Sequence, residues 1–165
     1  MKSLYRMFLS LSWLIAVSGT HAATVTWDGG GDGVSWTDTK NWMDDGLPTE
    51  ADDVRIENMG TGVTITITND VTLQNLQCSA SLAVIGSRLS VTRDGSRVDA
   101  DFIVESGGTL VVSGTNTTFT VEGPTTTDGA SFHVTGGGVL RLPRLASYRM
   151  SGGDSFWQVS GAGST

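Results

Sequence analysis

Residues 104–112 read VESGGTLVV. Residues 76–84, LQCSASLAV, and residues 134–142, VTGGGVLRL, share that frame. Each copy has an aliphatic residue, a polar one, three small ones, a variable one, Leu, another variable one and an aliphatic. Leu76, Val104 and Val134 open the copies, Leu82, Leu110 and Leu140 hold the seventh position, and Val84, Val112 and Leu142 the ninth. The spacings are 28 and 30 residues, and Phe102 and Phe132 each stand two residues before an opening position. A repeat of this size, built of strands and small-residue corners, suits a β-solenoid, in which each coil lays its strands under those of the next. On this reading Leu82, Leu110 and Leu140 stack as a core ladder. Gly107-Gly108 and Gly136-Gly137-Gly138 make bends that a Cβ would obstruct. Ser79 and Ala80 replace the glycines in the first copy, which predicts a less sharp corner.

Outward from the repeat, short alternating runs fill the chain from Val63 onward: VTITIT (63–68), VTLQNLQ (71–77), SLAVIG (81–86), RLSVT (88–92), DFIVE (101–105), TLVVS (109–113) and TFTVEG (118–123). SFHV (131–134), GVLRL (138–142) and FWQV (156–159) follow. They are rich in β-branched residues, have period two and are punctuated by Gly, Asn, Asp or Ser, which predicts strands. No helical spacing outlasts a turn. The expected fold is all-β: a right-handed parallel β-helix with an N-terminal Trp-rich cap. The alternative is a β-sandwich, against which stands the scarcity of hairpin turn pairs: Asp94-Gly95 and Asp128-Gly129 are the only Asp-Gly dipeptides after residue 63.

A solenoid exposes open β edges and an open core at its ends and needs caps. Residues 27–42, WDGGGDGVSWTDTKNW, stand just before the first alternating run, Asp52 to Ile56. Trp27, Trp36 and Trp42 either plug the core or stack on a ligand, and the sequence favours the plug. Pro48 stops any earlier pairing. Nine of the seventeen acidic residues fall between Asp28 and Glu57, giving the plug an acidic exterior. At the other end Val159 opens what reads as a further copy, with Gly161-Ala162-Gly163 as its corner, and the sequence stops where the Leu is expected. The expectation is the N-terminal piece of a longer protein, or a truncated product.

The N-terminus has the layout of a secretory signal. Lys2 and Arg6 precede the apolar run MFLSLSWLIAV (7–17), and Ser18 to Ala22 give a small-residue cleavage-like end. The run is too short to span a bilayer, which takes roughly 20 residues. The expected organisation is a signal peptide over 1–22, a cap and first strand over 23–62, and coils over 63–165, leaving no membrane span in the mature chain. Cleavage removes two of ten basic residues and no acidic one, so the mature chain carries eight basic and seventeen acidic residues, a formal charge of −9. Such a chain repels phosphate backbones, which argues against nucleic acid, and anionic membrane surfaces. Cys78 is the only cysteine, so neither a disulfide nor a cysteine-based metal site is available within the chain.

The stretch from Trp27 to Trp42, then Leu47-Pro48, Asp52 to Ile56 and the L-x-V repeats with Gly-Gly corners resembles the N-terminal part of large secreted bacterial right-handed parallel β-helix proteins, including autotransporter-passenger-like and cell-surface proteins. The resemblance covers most of residues 25–165. It implies export, localisation outside the cell or on its surface, a β-helix, and a stalk-like or adhesive role. The catalytic modules that such proteins carry elsewhere have no counterpart motif here, so no enzymatic activity is carried over.

Candidate chemistry is sparse. Asp28, Asp32, Asp38, Asp44 and Asp45 offer hard oxygens for Ca²⁺, but D-G-G-G-D-G lacks the ordered spacing and distal Glu of a dedicated calcium loop, and solvated cap turns are the simpler reading. The three tryptophans and their Asp and Asn neighbours suit sugar stacking, so an extracellular glycan or a cell-surface partner is the expected ligand class. Asp99, Asp101 and Glu105 near Arg97 are the residues a polysaccharide lyase would use, with Asp99 and Asp101 expected to share a strand face. Solvated rungs read the same way. His133, the only histidine after Ala22, reads as a rung residue. Asn116 reads as a turn residue, although Asn116-Thr117-Thr118 matches a glycosylation sequon. No catalytic or metal-ligating residue is assigned.

Overall fold

The computed structural model describes residues 22–165 except Asn58, Thr61 and residues 152–154. The expected signal peptide lies outside the described residues apart from Ala22. The described chain is a parallel β-solenoid with a triangular section, and β1 (Thr24–Thr26) starts its first sheet. The first coil is β2 (Asp53–Ile56), β3 (Thr64–Ile67) and β4 (Val71–Leu73). The second is β5 (Asn75–Cys78), β6 (Ser81–Ile85) and β7 (Arg88–Val91); the third is β8 (Ser96–Val98), β9 (Phe102–Glu105) and β10 (Thr109–Ser113). The fourth is β11 (Thr118–Val121), β12 (Thr125–Asp128) and β13 (Ser131–Thr135); the fifth is β14 (Val139–Arg141), β15 (Leu145–Arg149) and β16 (Trp157–Ser160).

The first strand of every coil joins sheet I, in the order β1-β2-β5-β8-β11-β14. The second joins sheet II, β3-β6-β9-β12-β15, and the third joins sheet III, β4-β7-β10-β13-β16. All ladders between named strands are parallel, so the sandwich alternative is excluded.

The expected ladder of Leu82, Leu110 and Leu140 is not formed. Leu82 pairs with Phe102 in sheet II, Leu110 with Leu89 and Phe132 in sheet III, and Leu140 with Phe119 in sheet I. The three matching segments are three different corners of the triangle: 76–84 turns from sheet I to II, 104–112 from II to III, and 134–142 from III to I. The spacings of 28 and 30 are therefore one coil plus one side. The true coil is shorter. Along sheet III, Val71, Leu89, Leu110, Phe132 and Trp157 are register partners, 18, 21, 22 and 25 residues apart. The inward positions of the early and middle coils form one apolar column in which Leu76, Leu82, Leu89, Phe102, Leu110 and Phe119 are fully buried.

The corners behave as glycine chemistry requires. Gly107 sits at φ +84°, and a Cβ on Gly108 would meet the Val84 carbonyl oxygen at 2.4 Å. Ser79 and Ala80, which stand in for glycines in the first copy, take no positive φ. Asn116 takes φ +63° in the turn between β10 and β11. The run 71–77 is two strands, with the corner at Gln74. Cys78 is buried, and burial pushes its thiol pKa up to about 12.

Candidate functional site

The tryptophan stretch covers one end of the solenoid. β1 pairs with β2 and extends sheet I, where the Trp27 N–H donates to the Arg55 carbonyl at 2.9 Å. Ser35 bridges in parallel to Thr66 on β3 and so extends sheet II, with the Trp36 N–H donating to the Thr66 carbonyl at 3.0 Å. Trp27, Trp36 and Trp42 are 2 %, 3 % and 0 % exposed and belong to the same core cluster as the coils. Trp42 meets the other two edge-on, at 4.8 Å from Trp27 and 4.7 Å from Trp36, and its Nε1 donates to the Trp36 carbonyl at 2.8 Å. Rings in this arrangement gain from quadrupole contact as well as burial. Their rings are turned into the core, and Trp36 alone of the three borders a surface cleft.

Asn41 holds the glycine loop in place, a role the sequence reading missed. It is fully buried, and its amide is saturated: Oδ1 accepts from the N–H groups of Gly31 (3.0 Å) and Gly33 (2.8 Å), while Nδ2 donates to Asp32 Oδ1 (2.8 Å) and the Ser35 carbonyl (3.0 Å). Asp32 Oδ1 also accepts from the N–H groups of Val34 and Ser35. Hydrogen bonds from Ser35, Val34 and Asn41 hold this carboxyl well below the usual carboxylate range. Asp38 accepts from the Asp32 and Lys40 N–H groups. Asp28 accepts from Gly30. Three of the five aspartates considered as calcium ligands thus bind the loop's own backbone, and among the described residues no three acidic, His or Cys side chains gather as a metal-ligand group. The signal for Asn41 was a lone Asn beside Trp42 in a loop of glycines with exposed backbone donors.

The most regular polar surface is the outer face of sheet I. Thr26, Arg55, Gln77, Arg97, Thr120 and Arg141 occupy one register line, one strand apart, about 4.8 Å per step. Carboxylates flank it: Arg55 pairs with Glu57, Arg97 with Asp99 and, at 3.6 Å, with Glu122, and Arg93 with Asp53. These pairs are half-exposed, so each contributes little to stability. The expected shared strand face of Asp99 and Asp101 is not found: both lie in the corner between β8 and β9, and Asp99 turns back to Arg97. Glu105 is on sheet II, in register with Asp128. His133 stands on the outer side of β13 with its ring 4.8 Å from that of Phe156.

A cleft of about 400 Å³ opens between the cap and β4, lined by Trp36, Leu47, Pro48, Glu50, Asp70 and Thr72 among others. Among the described residues β4 pairs only with β7, and its other side faces the cap as a strand edge. Comparison with protein-family models, curated proteins and solved structures finds no match to this chain. The class is therefore defined by the fold itself: a parallel β-solenoid of about five coils with a tryptophan cluster at its N-terminal end.

Proposed function

We propose that the chain is an exported structural or adhesive β-solenoid segment of a cell-surface or extracellular protein, whose partner is an extracellular glycan or a cell-surface molecule. The observation that carries this reading is the outer face of sheet I. Six parallel strands present a polar ladder that runs along the solenoid axis over roughly 24 Å, at one strand every 4.8 Å. Such a face suits an extended ligand held by many modest contacts. The tryptophans do not take part, because they are buried. Two experiments test the proposal. Impermeant labelling of intact cells that make the chain should modify it, and the purified chain should bind surface glycans with an affinity that Arg97→Ala weakens several-fold. Labelling only after lysis contradicts export, and glycan binding indifferent to Arg97 contradicts the assigned face.

A second reading makes the chain the N-terminal part of a carbohydrate-active β-helix, a polysaccharide lyase or glycan-binding protein, whose active coils lie beyond residue 165. Arg97, set between Asp99 and Glu122, favours it as a glycan-contacting residue. Cleavage of an acidic polysaccharide by the protein that carries this chain distinguishes it from adhesion alone.

A further inference from the structure

The cap continues two of the three sheets by one rung and leaves the third interrupted. β1 supplies the rung next to β2 in sheet I, and Ser35 bridges to Thr66 in sheet II. Beside β4 in sheet III the chain curls away instead. The Asp52 N–H donates to the Thr49 carbonyl at 3.1 Å, and Asp52 Oδ2 accepts from the Thr49 N–H and hydroxyl, both at 2.8 Å. This closed turn holds the chain before it off the sheet, and Pro48 has no N–H to offer a ladder. Contact resumes at the corner, where the Gln74 N–H donates to the Asp52 carbonyl at 3.0 Å. The interruption is the cleft of about 400 Å³. Its walls come from residues 36–50 and 69–72, both within the described chain, so neither terminus of the sequence creates it.

β4 turns backbone groups toward this gap. The Leu73 carbonyl accepts from the Thr92 N–H, just past β7, at 3.2 Å. Successive residues of a strand aim their N–H and C=O at opposite edges, so those of Thr72 point toward the cap. Among the described residues no strand pairs with them on that side. The walls add apolar surface and charge. Leu47 is 42 % exposed, Val71 is half-buried, and Trp36 borders the gap. Glu50 and Asp70 are both exposed and bring two carboxylates, while no basic side chain is among the lining residues.

We infer that the cleft takes an extended peptide segment of a partner protein, which pairs with the edge of β4 and carries Lys or Arg beside a β-branched apolar residue. The segment needs to be no longer than β4 itself, three residues. In recognition by strand addition the main-chain hydrogen bonds give affinity and the pockets for alternate side chains give specificity. Here Thr72 supplies the main-chain pair, Leu47 and Val71 the apolar contact, and the carboxylates of Glu50 and Asp70 select basic flanks by charge. The strand edge favours a peptide over a sugar, because a peptide offers an N–H and a C=O in the spacing that Thr72 presents.

The test titrates the purified chain with the synthetic peptide acetyl-KVTVK-amide, read by calorimetry and by amide hydrogen exchange. The peptide should bind with a dissociation constant of about 1 mM or below. At saturation it should slow exchange at the Thr72 amide several-fold, an amide that exchanges fast in the chain alone. Two control peptides need no variant of the chain. Acetyl-KVPVK-amide lacks the matching N–H and acetyl-EVTVE-amide reverses the charge, and each should bind at least tenfold more weakly. Thr72→Pro removes the edge N–H and spares the ladder to β7, which an edge strand tolerates, and it should weaken acetyl-KVTVK-amide at least tenfold. Glu50→Lys, at an exposed position, should weaken the same peptide several-fold and strengthen the glutamate one. Absence of binding overturns the inference, as does equal binding of the three peptides. A Thr72 amide already protected in the chain alone overturns it too, because the edge is then covered from within. So does a neutral oligosaccharide such as cellohexaose that protects Thr72 where the peptide does not.

Discussion

At the scale of single residues, Asn41 shows how a loop of glycines is made rigid. An amide has two acceptor and two donor positions, and all four are used. Asn41→Ala should destabilise the chain by roughly 1–3 kcal/mol, because it strands the Gly31 and Gly33 N–H groups and unties Asp32. Urea denaturation followed by tryptophan emission measures this directly. Asp32 gives a pH signature. Its folded pKa lies below the ordinary value of 3.8. The stability it adds is present above that value and lost as pH falls through the acid range toward the folded pKa. The stability difference between the parent and Asp32→Asn should therefore be largest near neutrality and shrink below about pH 4. A difference that stays constant with pH would show that the carboxylate charge is not what the loop uses.

At the scale of elements, the corners decide the coil. A Cβ at Gly108 meets a backbone oxygen, which cannot swing aside as a side chain can. Gly108→Ala should cost about 1–3 kcal/mol as overpacking, visible as a lower denaturation midpoint. The alternating runs made most strands legible in the sequence. β8 and β12 were not, for a physical reason. Ser96, Thr125 and Thr127 take inward positions with hydroxyls in place of aliphatic groups, so the apolar signal vanishes although all three are buried. Ser96 stays soluble in the core by accepting the Leu76 N–H, and Thr127 by donating to the Ser147 carbonyl. The repeat was visible but its period was not. Three corners with the same needs carry the same pattern, and sequence similarity alone does not say which corners lie above one another. Of the candidate site, the buried tryptophan cluster was legible. The polar ladder of sheet I was hidden, because it joins residues 20 to 29 apart whose register depends on the coil length.

At the scale of the whole molecule, the solenoid is closed at its N-terminal end by Trp27, Trp36 and Trp42. Trp157 is the one half-exposed tryptophan among the described residues. In a Trp157→Phe variant the remaining emission should be blue-shifted and indifferent to added polysaccharide. A sugar-dependent shift would return the cap tryptophans to a binding role. The geometry of the sheet I ladder, the face to which binding is assigned in the proposal, stands or falls with the stacking of coils.

That stacking is tested most directly by cross-linking across adjacent rungs. Gln77 and Arg97 are register partners, both exposed, twenty residues apart, and neighbouring strands bring Cα atoms to about 4.8 Å, within disulfide reach. In a Cys78→Ala background, Gln77→Cys with Arg97→Cys should oxidise to an intramolecular disulfide in the native chain. Gln77→Cys with Glu105→Cys, 28 residues apart and on different sheets, should not. A cross-link in the second pair and none in the first would contradict the triangular coil and restore the longer period.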